Sequence, residues 1–123
     1  MSEQVSLYQR LGGYDAISAV VNELLTRLMA DKLLGRFWQN RGDDGIEREK
    51  QLLIDFLCAS AGGPMLYIGR DNKTSHKGMG ISEQDWRIFS DHLNATLEYF
   101  HVPEIEMSEV IAFINSTKSE IVS

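Results

Sequence analysis

YIGRDNKTSHKGMGIS, residues 67–82, is the stretch on which the reading of this chain turns. It lies between two segments of strong helical periodicity, yet it carries glycines at 69, 78 and 80, so neither helix runs through it cleanly. His76 stands at its centre, the only one of three histidines placed outside a helical pattern. An imidazole held in an irregular segment, facing large apolar side chains, is a candidate axial ligand for a haem iron. A solvated loop histidine fits the same spacing. On spacing alone both readings stay open.

Working outward, the segment before it is a helix over about 46–61, closed by Gly62-Gly63-Pro64. Its apolar residues, Ile46, Leu52, Leu53, Ile54, Phe56, Leu57 and Cys58, form a stripe wider than packing on one partner requires. A helix touching both a neighbour and a bound apolar ligand explains the width, and so does a fully internal helix. The segment after it opens at Ser82, with Asp85 three residues on in a capping-box pattern. Trp86, Phe89, Leu93, Leu97 and Phe100 make its apolar face, and it is expected to end near His101, before Val102-Pro103. His92 reads as a hydrogen-bonded residue at the polar edge of this helix, and His101 as a last-turn residue suited to the helix dipole.

Towards the N-terminus, 39–45 (QNRGDDG) reads as a loop, and Leu33, Leu34, Phe37 and Trp38 as one short helix. A longer helix over about 14–30 carries Ile17, Val20, Val21, Leu24, Leu25 and Leu28 at helical spacing. Residues 6–11 make a turn or two of helix stopped by Gly12-Gly13, and the last helix is expected over 104–121. The chain is therefore all-α, with four substantial helices and two short ones. A stretch of about 20 irregular residues between two of them calls for a function of its own or argues against the helix assignment.

Composition narrows the classes of partner. The 123 residues suit one domain, and the net charge of −6, with no clustered Lys and Arg, argues against nucleic acid. A single cysteine, Cys58, excludes an internal disulfide, and without a CxxCH motif any haem is held without thioether links. The N-terminus has no basic region followed by an apolar run, and no stretch of about 18 apolar residues occurs, so no membrane segment and a cytoplasmic location are expected.

The landmarks SLYQRLGG (6–13), FW (37–38), GGP…LYIGR (62–70), SHKGMGIS (75–82) and DHLNATL followed by VP (91–103) come in one order across nearly the whole chain. In them the sequence resembles the truncated haemoglobins, short globins with a two-over-two helical sandwich, and in particular their first group. The resemblance implies one all-α globin domain over 1–123. It also implies non-covalent haem b, with the iron ligated by His76. Phe37 or Trp38 would supply the ring that packs on the haem face, although the family usually has Phe where Trp38 stands. Arg70 resembles a basic residue near the haem propionates. Ser75, Trp86 and Phe89 would also line the cofactor.

The distal side departs from the family pattern. Its usual pocket tyrosine falls on Leu25, which removes a hydroxyl donor. The helix before GGP aligns in two registers. Keeping GGP fixed directs Glu49, Leu53, Phe56 and Leu57 to the haem; keeping Lys50-Gln51 fixed directs Gln51 there and drags Asp55 into an apolar position. Residues 51 and 53 are about 200° apart on a helix, so both cannot face the iron. Burying an unpaired Asp55 is costly, which favours the first register.

What the resemblance implies for function is reversible binding of O2, CO and NO. An enzyme-like alternative is oxidation of nitric oxide to nitrate, with electrons from an external reductase, since no GxGxxG motif provides a nucleotide site. A haem-based gas sensor is a further alternative. Without the resemblance, the residues describe a cofactor-free helical interaction module with His76 on its surface.

Overall fold

The computed structural model of the protein describes residues 6–39, 42–62 and 80–122. His76, Arg70 and Ser75 lie outside the described residues. Helix α1 (Leu7–Leu11) starts at Ser6, whose Oγ accepts from the Gln9 N–H at 3.2 Å. Gly12 ends it in the left-handed region at φ 110°. A Cβ at Gly12 would lie 2.9 Å from that of Ala16, so glycine is what lets helix α2 (Gly13–Ala30) begin one residue later. The two glycines separate two helices that follow each other almost without a gap.

Helix α2 buries Ile17, Val21, Leu24, Leu25 and Leu28. Asp31 closes it in an extended conformation, and the chain then turns through a 3-10 segment, Leu34–Trp38. The short helix expected here is thus a 3-10 turn. Asp31 accounts for its start, because Oδ1 accepts from the N–H groups of both Leu33 (2.9 Å) and Leu34 (3.0 Å).

Helix α3 (Asp43–Ser60) begins three residues earlier than expected, inside the stretch read as loop. Asp43 and Asp44 occupy its first turn, where carboxylates are favoured by the N-terminal dipole, and this offsets the glycines around them. Only Ile54 and Cys58 of this helix are buried. A fully internal α3 is therefore excluded: one face lies on α2, and Leu53, Phe56 and Leu57 are half-buried beside it.

Helix α4 (Glu83–Tyr99) starts with the full capping box. Ser82 Oγ accepts from the Asp85 N–H at 3.1 Å, and Asp85 Oδ2 accepts from the Ser82 N–H at 2.9 Å. The helix stops two residues short of His101. The His101 N–H donates to Glu98 O and the Val102 N–H to Leu97 O, both at 3.0 Å, which is the Schellman pairing. His101 therefore lies outside the helix at φ 55°, a conformation usually taken by glycine.

Pro103 then opens helix α5 (Glu104–Ser116), and a short α6 (Lys118–Ile121) follows. A single helix over 104–121 is not what forms. Thr117 breaks it, because both its N–H (3.0 Å) and its Oγ1 (2.7 Å) go to Ile114 O, closing the turn instead of extending it.

The core joins α2 (Ile17, Val21, Leu24, Leu25, Leu28) to Leu34, to Ile54 and Cys58 of α3, and to Leu93 and Leu97 of α4. Met107, Val110, Ile111 and Ile114 of α5 pack on it from the side. Because His101 holds a left-handed conformation only for the sake of the turn, His101→Gly should raise stability by about 0.5–1 kcal/mol. Urea unfolding at constant slope is the measurement, and loss of stability would mean that the imidazole makes contacts that outweigh the strain.

Candidate functional site

Six of the side chains singled out from the sequence come from three elements. Phe37 and Trp38 sit on the 3-10 turn, half-buried, with ring centroids 6.3 Å apart and planes at 85°. Leu53 and Leu57 of α3 are half-buried against the same core. On α4, Trp86 and Phe89 stack at 5.3 Å between centroids, Trp86 buried and Phe89 half-buried. Five of these side chains, Phe37, Trp38, Leu53, Leu57 and Phe89, pack half-buried against one core, and the buried Trp86 stacks on Phe89. Such surface is costly to leave in water and suits a flat apolar ligand.

Other candidates go elsewhere. Phe56 pairs with Phe113 of α5 at 5.9 Å between centroids, a partner that no local sequence signal indicates. Gln51 is exposed, its Nε2 donating to Tyr14 Oη at 2.8 Å and to Asp55 Oδ1 at 3.0 Å. Lys50 Nζ donates to Asn22 Oδ1 (3.3 Å) and pairs with Glu47 (3.0 Å). Glu49 is half-buried. Leu25 is 4% exposed and belongs to the core. Lys50 and Gln51 of α3 are thus occupied along its contact with α2.

The bacterial-like globin family model matches residues 6–123. This chain is a bacterial-like globin. It is 32% identical over 120 residues to a group 1 truncated hemoglobin of Mycolicibacterium paratuberculosis, covering 98% of this chain and 86% of that protein. The fold is similar to that of the Fe(III) truncated hemoglobin from Tetrahymena pyriformis, with a TM-score of 0.87, 26% identity, and 97% and 99% of the two chains covered. A 2/2 hemoglobin from a Synechococcus species, with covalently attached heme, has the same fold at a TM-score of 0.86 and 23% identity, over 96% and 98% of the two chains. The globin is thus a truncated haemoglobin of the group 1 type with a two-over-two helical fold. Family membership carries with it haem-based binding of a gaseous ligand such as O2.

The described part of the globin fits a haem on chemical grounds. The apolar side chains Phe37, Trp38, Leu53, Leu57 and Phe89, with Trp86 stacked on Phe89, suit a macrocycle, while Gln51 and Lys50 of α3 are bonded to α2. No described helix is long and apolar enough to cross a membrane.

Two carboxylates whose partners across the fold the sequence reading missed fasten the aromatic segment. Asp85 is 2% exposed, and its Oδ2 takes Arg36 Nη2 at 2.7 Å, while the Arg36 guanidinium lies 4.2 Å from the Phe37 ring centroid. Arg36 holds the Asp85 carboxyl below its ordinary range, aided by Ser82 and opposed by burial. Asp85 was legible as a cap, but its partner lies 49 residues away, beyond any local pattern.

Asp31 Oδ2 meets His92 Nε2 at 2.8 Å. The hydrogen bond from His92, then those from the Leu34 and Leu33 amides, lower Asp31 to about 2. A carboxyl depressed in the folded state adds stability above its unfolded pKa, near 3.9, and loses it as pH falls towards 2. Asp31→Asn should therefore lower stability at neutral pH and flatten its decline between about pH 4 and 2. Parallel acid titrations followed by far-UV circular dichroism test this, and an unchanged slope would refute it.

Proposed function

We propose that this globin holds haem b non-covalently through His76 and reversibly binds O2, with CO and NO as further ligands. The observation that carries this reading is the arrangement of α3. Gln51 and Lys50 are bonded to α2 residues, and Asp55 accepts from Gln51, while Leu53 and Leu57 lie against the core with the aromatic pairs. That supports the register with GGP fixed and a distal side built of Leu25, Leu53 and Leu57. Haem, when bound, supplies an iron centre for a diatomic gas. The chain contributes the apolar walls that exclude water from it, and Arg70 and Ser75 are assigned to the cofactor's polar edge.

A distal side of this composition lacks the hydroxyl or amide donor that steadies O2. A net hydrogen bond contributes about 0.5–1.5 kcal/mol, so its loss speeds O2 release by roughly two- to twelvefold. Leu25→Tyr should slow O2 dissociation by about that factor in stopped-flow displacement by CO. A parent rate already as slow as that of the variant would mean that another side chain donates.

The spectrum tests the cofactor itself. Purified protein supplemented with haem should give ferric, dithionite-reduced and CO-bound Soret bands characteristic of histidine ligation. His76→Ala should lose or weaken them. A parent without a saturable haem spectrum would sink the proposal, and nitric oxide turnover with a supplied reductant separates gas binding from oxidation chemistry.

A further inference from the structure

The segment carrying Phe37 and Trp38 is clasped to α4 at two points, and the same two carboxylates build both clasps and caps. Asp31 caps the 3-10 turn and reaches across to His92 of α4. Asp85 caps α4 and reaches across to Arg36 of the 3-10 turn. Residues 85 and 92 are seven apart, two helical turns, so the clasps lie on one face of α4, about 10 Å apart along its axis. Phe89 falls between them on that face, and Trp86 adjoins the first.

The turn bearing Phe37 and Trp38 is therefore joined to the helix bearing Trp86 and Phe89 by polar side chains and not by apolar packing alone. Arg36 adds a second constraint, since its Nη1 donates to Leu33 O at 2.6 Å while its guanidinium covers Phe37. One side chain thus fixes the turn's backbone, the ring and the neighbouring helix. Among the described residues Asp85 Oδ1 is buried without a hydrogen-bond partner, so the carboxylate engages Arg36 and the Ser82 amide through Oδ2. For a buried anion that is a costly arrangement, and it is tolerated where it fixes a position.

We propose that Arg36 and Asp85 are positioning residues of the gas site: their ion pair holds the turn that carries Phe37 and Trp38 to the helix that carries Trp86 and Phe89, and so limits the rate at which ligands enter. The inference rests on the haem-binding reading above. A clasp that only stabilised the fold would change the melting temperature and leave ligand entry alone. A positioning clasp changes entry in protein that is still fully folded.

The test is CO rebinding after flash photolysis of the haem-reconstituted protein, at a temperature well below the melting point of every variant. Asp85→Asn keeps the shape and the cap but removes the charge; Arg36→Met keeps a stem over Phe37; Arg36→Lys restores a cation. Asp85→Asn and Arg36→Met should speed CO association by about threefold or more, with Arg36→Lys returning part of the way to the parent. Melting temperatures that fall while CO rates stay at the parental value would overturn the inference and leave haem binding intact. A parent that takes up no haem would overturn the functional reading and this inference with it. If Arg36→Met does not fold, Asp85→Asn decides alone, its carboxamide leaving no buried charge unpaired.

Discussion

The apolar stripe of α2 is the constraint on which the rest depends. Ile17, Val21, Leu24, Leu25 and Leu28 are nearly inaccessible to water, and no single neighbour covers them. Helices α1, α3 and α4 and the 3-10 turn each pack on α2. Burying five such side chains removes enough apolar area from water to dictate where those elements go. Once they are placed around one helix, the residues left on their free edges are the half-covered aromatic and leucine side chains of the site. The pocket surface is therefore a by-product of core formation around α2, refined by a few polar fasteners.

Those fasteners do what apolar packing cannot. Leucine against leucine is tolerant of sliding, whereas a carboxylate that must serve several hydrogen-bond donors at once has few acceptable positions. Asp31 serves the Leu33 and Leu34 amides together with His92. Asp85 serves Ser82 and Arg36. The 3-10 turn is short and contributes only Leu34 to the buried core, so its orientation depends on these contacts more than that of any long helix.

Much of this was legible in the sequence, for identifiable reasons. The helical spacing over 14–30, the Gly12-Gly13 break and the Ser82–Asp85 box are local signals, and local signals are readable. The misplacements were at helix ends, where several weak terms compete. Acidic side chains carried α3 back into a glycine-containing stretch, a left-handed histidine ended α4 early, and a threonine hydroxyl broke the last helix. Pairings such as Arg36–Asp85, Asp31–His92 and Phe56–Phe113 were invisible because they join residues brought together only by the fold. The landmark set around the stretch 67–82 pointed to the family, which the comparisons support independently.

The two halves of α3 are anchored very differently. Its first turn has Gly42 at the N-cap without a side-chain cap, and residues 42–45 are all exposed. Its second half holds Ile54 and Cys58 in the core. Amide protection should thus be graded along one continuous helix, from near-free exchange at Asp44 and Gly45 to values close to the global unfolding free energy around Cys58. A helix graded in this way is a cantilever: it can fray from its free end, turn by turn, while the register of Leu53 and Leu57 is maintained by the end that stays fixed.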